Sequence, residues 1–241
     1  MLHKTAGTRN MWRAEGRRRF PVNGLVYYAP LWHPQLNVSP FKAWDLVTPG
    51  THSCTVAGAT WGSTGRTFAG SDNDLITVPD AAIIQNIFAT GGTLSMWVNP
   101  SSSIASGLTL ISKVGWNVYW NVIVAGRTAP TFFYDFDAND GYFTFATGLL
   151  VDTFSHICIT MANTTAGTVP IFYVNGGLIG TTVTQASTGT VVTDAGSNIL
   201  LGNRAALDKD FLGIIGELSL YNQVLTAGEI AQSYRGTKFR Y

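Results

Sequence analysis

The chain has 241 residues, of which 46% are hydrophobic and 12% are charged, and its formal net charge is +1. This length can bury the core of one substantial domain. The sequence contains no internal repeat, no heptad pattern and no apolar run long enough to cross a membrane as a helix. It therefore excludes solenoids, coiled coils and helical membrane proteins.

The charge is distributed unevenly along the chain. Residues 1–20 hold six basic side chains and one acidic side chain, whereas residues 21–234 hold six basic and thirteen acidic side chains. A basic segment of this kind contacts something anionic: nucleic acid, a phospholipid surface or the acidic face of a neighbouring subunit. The segment has no apolar h-region and no cleavage site, so no signal peptide is predicted.

The basic segment also contains apolar side chains. Arginine and aromatic residues are the favoured anchors of protein interfaces, so we predict an N-terminal arm, residues 1–23, that docks on another protein subunit. Its predicted contact residues are Arg9, Met11, Trp12, Arg13, Arg17, Arg18, Arg19 and Phe20. A solubilising terminus is the alternative. Nucleic-acid binding is disfavoured because the segment lacks the aromatic platforms of single-strand binders.

Segments rich in β-branched and aromatic residues follow the arm and are separated by turn signals. Glycine-containing turns recur at residues 90–92, 139–141 and 175–177. No window has the pattern of a long amphipathic helix. The sequence therefore predicts an all-β chain.

The segment GWNVYWNV, residues 115–122, places two kinds of side chain on opposite faces of a predicted strand. Trp116 and Trp120 share one face, which predicts that they fill the core. The other face carries amide and phenol groups, which are typical of a sugar site beside an aromatic surface. The predicted glycan-binding residues are Asn117, Tyr119 and Asn121, with Tyr134 and Asp137 nearby.

Two clusters contain side chains of metal-binding types. DFDAND, residues 135–140, lacks the glycine and glutamate positions of a calcium loop, so it predicts a hairpin tip with solvated aspartates. His52 and Cys54, and likewise His156 and Cys158, share one face of a strand. Three interpretations stay open: a zinc site if the strands are neighbours, a disulfide, or buried free thiols with hydrogen-bonded histidines. The last is the commonest.

The C-terminal stretch FLGIIGELSLYNQVLTAGEIAQSY begins as a strand and ends as a helix. Its side chains alternate over residues 211–221 with a period of two. Thr226 and Glu229 then have the spacing of a capping box, which predicts a short helix over residues 226–234.

This stretch resembles the last strand and helix of the laminin-G-like branch of the concanavalin A-like lectin/glucanase superfamily. Six further segments resemble the family's strands in the same order: GLVYYAPL, RTFAGSDNDLITVP, GTLSMWVNP, FSHICIT, PIFYVNGGLIGT and ILLGNR. The resemblance covers residues 24–234. It implies a concanavalin A-like jelly-roll β-sandwich of two antiparallel sheets, with a basic C-terminal tail at residues 235–241. The chain departs from the family pattern at Gly216, where Asp is usual.

The resemblance also implies a calcium site. Some members of the family hold a structural calcium between the segments that match residues 66–79 and 211–221. In this chain the corresponding ligands are Asp72, Asp74 and Glu217, while Gly216 removes one expected carboxylate.

Glutamates are scarce in this chain, which bears on catalysis. Retaining glycosidases use two carboxylates about 5–5.5 Å apart. The glutamates are Glu15, Glu217 and Glu229, of which the last is engaged in capping, and no second carboxylate shares a strand face with Glu217. No Gly-x-Ser-x-Gly elbow is present either. The sequence thus predicts that the chain is not an enzyme.

The resemblance and the basic arm together give a predicted role. Tailed-virus genomes often encode laminin-G-like domains as decoration, fibre or head proteins. The chain is therefore predicted to be a structural or decoration protein of a viral particle or similar assembly, located in the virion or outside the cell. Its predicted partners are other subunits of a capsid or tail, in a homo-oligomer, and cell-surface glycans. The alternative is a free-standing carbohydrate-binding lectin or adhesion module.

Overall fold

The computed structural model describes residues 21–34, 39, 42–47, 53–103, 107–124 and 126–241. The predicted contact residues of the arm and His52 lie outside these residues, and so does the side chain of Asn121. The domain boundaries set out above stay a prediction.

The described residues form eighteen strands, one α-helix and two short 3₁₀ helices. The strands are β1 (Leu25–Pro30), β2 (Lys42–Trp44), β3 (Ser53–Ala57), β4 (Thr60–Gly62), β5 (Gly65–Ala69), β6 (Leu75–Val78), β7 (Gly92–Pro100), β8 (Thr109–Lys113), β9 (Trp116–Val124), β10 (Arg127–Tyr134), β11 (Gly141–Phe145), β12 (Leu149–Leu150), β13 (Ser155–Met161), β14 (Ile171–Val174), β15 (Gly177–Ile179), β16 (Thr181–Gln185), β17 (Ile199–Leu201) and β18 (Leu212–Tyr221). The helices are α1 (Ala227–Thr237) and the 3₁₀ turns Ala82–Ile84 and Lys238–Arg240.

The strands build two antiparallel sheets. Sheet I has the order β15-β14-β13-β7-β18-β5-β4, and β1 pairs with the second half of β18 beside β5. Sheet II has the order β16-β11-β10-β9-β8-β17-β6-β3-β2, and β12 pairs with β10. The predicted fold class, an all-β sandwich of two antiparallel sheets closed by a short helix, is confirmed.

Aromatic side chains fill the space between the sheets. Trp116 and Trp120 of β9 and Phe132 of β10 are fully buried. Phe88 packs edge-on against Trp116 and Phe132, with ring centroids 5.5 and 5.4 Å apart. Burial of such side chains stabilises the fold by about 25 cal/mol for each Å² of apolar surface. The prediction that Trp116 and Trp120 fill the core is confirmed.

Helix α1 covers the outer side of sheet I. It begins with the predicted capping box: Glu229 N donates to Thr226 Oγ1 at 3.3 Å, and Thr226 N donates to Glu229 Oε2 at 2.8 Å. Ile230 is buried in a small second hydrophobic cluster on this side. Trp97 Nε1 donates to Thr237 Oγ1 at 2.8 Å and ties the last turn to β7. The helix therefore runs three residues past its predicted end at residue 234.

The departure from the family pattern at Gly216 has a steric explanation. A Cβ at this position would lie 2.4 Å from Cε1 of Tyr241. The Tyr241 ring stacks on Trp97 with centroids 4.5 Å apart. The space that an aspartate side chain would need is thus occupied by an aromatic ring, and only glycine fits beneath it.

Both cysteines are buried, and they form no disulfide with each other. Cys54 packs in the core between the sheets, whereas Cys158 packs in the second cluster under α1, on the other side of sheet I, so the disulfide and zinc interpretations are wrong. The Cys54 thiol is 3.1 Å from the Tyr27 hydroxyl. His156 Nε2 is 2.8 Å from Ser95 Oγ. Free thiols with a hydrogen-bonded histidine, the interpretation favoured above, are confirmed for these residues.

A buried lysine links β8 to two loops. The Lys113 ammonium donates to the Ile84 carbonyl at 2.8 Å and to Asp194 Oδ1 at 3.0 Å, and it lies 3.2 Å from Asp80. Trp116 Nε1 donates to the other oxygen of Asp194 at 2.9 Å. The lysine side chain has no exposed surface, and it supplies the cation for the buried Asp194 and the partly buried Asp80.

We expect Lys113→Met to lower the free energy of unfolding by about 3–5 kcal/mol, since it leaves a carboxylate buried without a cation. Urea denaturation at pH 7 measures this loss. The matched control is Arg204→Met, which removes an exposed pair with Asp208 four residues away and should cost about 0.5 kcal/mol or less. Equal losses in the two variants would contradict the role given to Lys113.

Burial of the His156 imidazole lowers its pKa to about 3. An unfolded histidine has a pKa of about 6.5, so between these values the unfolded state binds more protons and stability falls as the pH falls. We expect His156→Gln to remove up to about 1.4 kcal/mol per pH unit of this dependence. Unfolding free energies of both proteins between pH 7 and pH 4 test this. Parallel curves would show that His156 is not the group responsible.

Candidate functional site

Three neighbouring strands of sheet II present an ordered outer surface. Across β9, β10 and β11, Asn117 lies opposite Phe133, and Phe133 lies opposite Tyr142. Cross-strand partners point to the same side of a sheet. Because Trp116 and Trp120 point into the core, these partners point away from it. We call this surface the β9–β11 face; its described residues are Asn117, Tyr119, Thr131, Phe133, Asp135, Asp140, Tyr142 and Thr144.

Phe133 and Tyr142 form the aromatic centre of the β9–β11 face. Their ring centroids lie 5.1 Å apart, with an angle of 63° between the ring planes. Both side chains are partly exposed. Aromatic surface of this kind, next to a few placed polar groups, is typical of binding sites for small organic molecules.

Asn117 supplies a polar group beside the aromatic centre. Its side chain is partly exposed, but its Oδ1 atom is buried and has no hydrogen-bond partner among the described residues. A buried acceptor without a donor costs about 1–3 kcal/mol. Rotation of the partly exposed amide would bring this oxygen to a ligand hydroxyl, and a hydrogen bond from that hydroxyl would recover the free energy.

Hydroxyl groups line one end of the face. Tyr119 lies opposite Thr131, and Thr131 lies opposite Thr144. The two threonine hydroxyls are 2.9 Å apart. Burial raises the pKa of the Tyr119 phenol, while a hydrogen bond with Thr131 acts in the opposite direction. Thr131 itself is buried, so this end offers the uncharged hydroxyls of Tyr119 and Thr144.

Two carboxyl groups lie at the other end. Tyr134 pairs with Gly141, so Asp135 and Asp140 occupy the next position across the same hairpin. The Phe136 N–H donates to Asp140 Oδ1 at 3.1 Å, which turns the Asp140 carboxyl back toward Asp135. Burial raises the pKa of Asp135, and the hydrogen bond to Asp140 and the Asp140 charge raise it further. The predicted hairpin is therefore present, but these two aspartates contact each other and are partly buried.

The structure brings together part of the glycan site predicted from sequence. Asn117 and Tyr119 lie on the β9–β11 face, and Asn121 belongs to β9. Tyr134 is a correction, because it points inward and is buried beside the rings of Phe88, Phe132 and Phe136. The alternation of β10 explains this: if Phe133 faces outward, the next residue must face the core.

Asp137 lies beyond the face at the hairpin tip. Its side chain is exposed, and its Oδ1 accepts a hydrogen bond from Thr190 N at 2.8 Å. It holds the tip against the following loop rather than lining the face.

Six residues of the face did not enter the glycan site predicted from sequence: Thr131, Phe133, Asp135, Asp140, Tyr142 and Thr144. The signal that could have found them is the pair of aromatic runs at residues 131–134 and 142–145, which flank the hairpin tip. With the tip at residues 137 and 138, residue 133 lies opposite 142, and 135 opposite 140.

The predicted calcium ligands do not form one site, which corrects that prediction. Asp74 is buried and accepts a hydrogen bond from the Ala69 N–H. Ala69 pairs with Leu212, five residues before Glu217 on β18, which is about 16 Å along a strand. Asp72 instead lies beside Asp210, with which it forms a side-chain hydrogen bond. In the described ranges, no three His, Cys, Asp or Glu side chains lie close enough together to hold a metal ion.

Glu217 already has a cation and two neutral donors. Its Oε2 accepts from Trp32 Nε1 at 3.0 Å and from the Tyr28 hydroxyl at 3.1 Å, and it lies 3.3 Å from Arg240 Nη1. Burial raises the pKa of Glu217, and Arg240 opposes that shift. The arginine takes the place that a metal ion would need.

Within the part of the chain that the structure describes, no helix has the length and apolar character needed to traverse a lipid bilayer.

Solved structures with this fold include a sialidase and two binding domains. Trypanosoma rangeli sialidase matches with a TM-score of 0.67 and 16% identity, over 97% of this chain and 38% of that chain. The receptor-binding domain of botulinum neurotoxin C/D mosaic serotype matches with a TM-score of 0.65 and 16% identity, over 89% of this chain and 51% of that one. The binding domain of Paraclostridial Mosquitocidal Protein 1 matches with a TM-score of 0.58 and 15% identity, over 88% and 52%. This chain thus spans about half or less of the length of each.

These matches overturn one prediction. The chain was predicted not to be an enzyme, yet its fold also occurs within a sialidase. The prediction considered glutamates on a single strand and overlooked carboxyl pairs formed across a hairpin. The scarcity of glutamates therefore gives no ground for excluding catalysis, and the prediction is wrong.

The sequence itself was also compared with known proteins and families. No curated protein matches it. Residues 68–231 match the family model described as the concanavalin A-like lectin/glucanases superfamily. This match runs from the end of β5 through β18 and into the first half of α1, as the resemblance in the sequence implied. The chain therefore belongs to the concanavalin A-like lectin/glucanases superfamily.

Proposed function

We propose that this chain is a carbohydrate-binding module of the lectin type and that the β9–β11 face holds the glycan. The observation that carries the proposal is the partly exposed Phe133–Tyr142 pair beside the unpartnered Oδ1 of Asn117. An aromatic surface binds the apolar side of a sugar ring, and an acceptor that lacks a donor binds a sugar hydroxyl.

The size of the face fits an oligosaccharide. From Tyr119 to residue 115 the face extends over four residues of strand, or about 13 Å, and it is three strands wide, or about 10 Å. The aromatic pair lies in the middle, with uncharged hydroxyls at one end and carboxyls at the other. The receptor-binding domains of botulinum neurotoxin share this fold, which supports a role in recognition.

We expect Tyr142→Ala to weaken glycan binding at least tenfold, because it removes half of the aromatic centre and leaves the core untouched. The measurement is the affinity of the full chain for oligosaccharides first identified on a glycan array. Phe239→Ala is the matched control, since Phe239 is an aromatic residue that is 65% exposed elsewhere. Equal binding by Tyr142→Ala and the unaltered chain would rule out this face, as would equal losses in both variants.

We propose as a second function that the module is displayed on a larger assembly, a viral particle in the virion or an extracellular complex, with residues 1–20 as the anchor. The charge distribution supports this. The basic segment with its arginines and aromatic side chains is matched by an acidic excess in residues 21–234. Such complementarity favours attachment of the arm of one copy to the body of another.

If the arm anchors the module, deletion of residues 1–20 should leave folding and glycan binding intact but reduce the mass of the assembly. Sedimentation at about 0.05 M and 0.5 M salt would measure it, since charge attraction is screened at the higher value. Substituting Arg17, Arg18 and Arg19 by glutamine tests the charge without shortening the chain. The same mass for all three proteins at both salt concentrations would refute the anchor.

A further inference from the structure

We infer that the β9–β11 face selects glycans that carry a free, positively charged amino group, and that it rejects anionic glycans such as sialylated ones. This inference rests on the proposed function. It concerns the chemical class of the ligand, and it follows from where the carboxyl pair lies relative to the aromatic centre.

The carboxyl pair and the aromatic pair lie on the same side of the same hairpin. Phe133 lies opposite Tyr142, and the register places Asp135 opposite Asp140 two residues further along. Two residues of strand measure about 6.7 Å and bring side chains back to the same face. A sugar ring on the aromatic centre therefore has its edge next to the two carboxyls.

Backbone contacts hold the carboxyl pair in place. Asp135 N donates to the Gly115 carbonyl at 2.7 Å. The Asp140 carboxyl accepts from Phe136 N, and the Asp140 carbonyl accepts from Gln185 Nε2 at 3.0 Å. Both aspartates thus lie directly beyond the ends of β10 and β11, where hydrogen bonds hold them to the sheet. The pair is a fixed feature of the face, which is what selective binding requires.

No basic side chain of the described residues neutralises this end of the face. Lys113 is buried on the opposite side with Asp80 and Asp194. Arg127 is six residues from Phe133 along β10, or about 20 Å, and donates to the Gly148 carbonyl. Lys209 lies by Thr109 at the hydroxyl end, about 13 Å along the strands from the carboxyls. At physiological salt, charges at such distances are largely screened.

The charge of the pair therefore acts mainly on the ligand. The two carboxyls are in contact, and burial together with Asp140 raises the pKa of Asp135. An ammonium group placed between them offsets the repulsion of like charges and forms charge-assisted hydrogen bonds with both. A ligand carboxylate or sulfate in the same position meets charges of its own sign. The two carboxyls also act on the adjacent Tyr142. Burial raises the pKa of the Tyr142 phenol, and the charges of Asp140 and Asp135 raise it further.

The test uses three soluble probes and the full chain: a glucosamine tetramer, its fully N-acetylated counterpart, and a sialylated oligosaccharide of similar size. We expect the glucosamine tetramer to bind at least tenfold more tightly than the acetylated tetramer, and the sialylated probe to bind more weakly than both. Calorimetry at pH 6, where the glucosamine amines are charged, gives the three affinities.

The double variant Asp135→Asn with Asp140→Asn should abolish the preference for the amine while keeping the affinity for the acetylated tetramer. Asparagine keeps the shape and the acceptor for Phe136 N, and thermal denaturation checks the fold. Asp152→Asn is the control for general attraction to an acidic protein, because it removes one exposed carboxylate that accepts from Ser102 N on another part of the molecule. It should leave the preference unchanged.

The outcomes separate the two proposals. No binding of any probe overturns both the proposed function and this inference. Binding that Tyr142→Ala abolishes, but with the sialylated probe equal or tighter, keeps the proposed function and overturns the inference. A preference for the amine that survives in the double variant also overturns it, since the carboxyl pair would then not be its source.

Discussion

The packing of large aromatic side chains between the two sheets is the constraint on which the rest of the structure depends. Trp116, Trp120 and Phe132 are fully buried in the interior. Protein interiors are close-packed, so adding or removing one methylene there changes the stability of the fold. Because a strand turns alternate residues to opposite sides, the same packing dictates which residues face water. Asn117 and Phe133 are outward because their neighbours are needed inside. The candidate site thus lies on the outer side of the sheet whose inner side forms the core.

This dependence explains what could be read from the sequence. The strand alternation at Trp116–Trp120 and the capping box at Thr226 are local signals, and both elements form as expected. The prediction for Tyr134 was wrong because β10 carries aromatic residues on both of its faces. Composition therefore does not reveal which of the two faces is buried. The separation of the supposed calcium ligands depends on contacts between distant segments, such as Arg240 with Glu217, and no local pattern reports those.

Acidic side chains of this molecule lie in two kinds of environment, one with a nearby cation and one without. Glu217 is enclosed by its own arginine and by neutral donors, so its charge is balanced within the protein. Asp194 is balanced in the same manner by Lys113. Asp135 has another carboxyl as its neighbour and no cation close by among the described residues. A balanced carboxyl destabilises the fold when its cation is removed, whereas an unbalanced pair at an open surface is available to a partner.

The position of helix α1 has a consequence for how the molecule can be mounted. The helix lies over the outer side of sheet I, and the β9–β11 face lies on the outer side of sheet II. The two are therefore separated by the full thickness of a two-sheet sandwich, whose sheets are about 10 Å apart. A surface, bead or fusion partner joined through the helix side would leave the opposite side turned toward the medium. The side through which the molecule is attached therefore decides whether ligands in solution can reach the β9–β11 face.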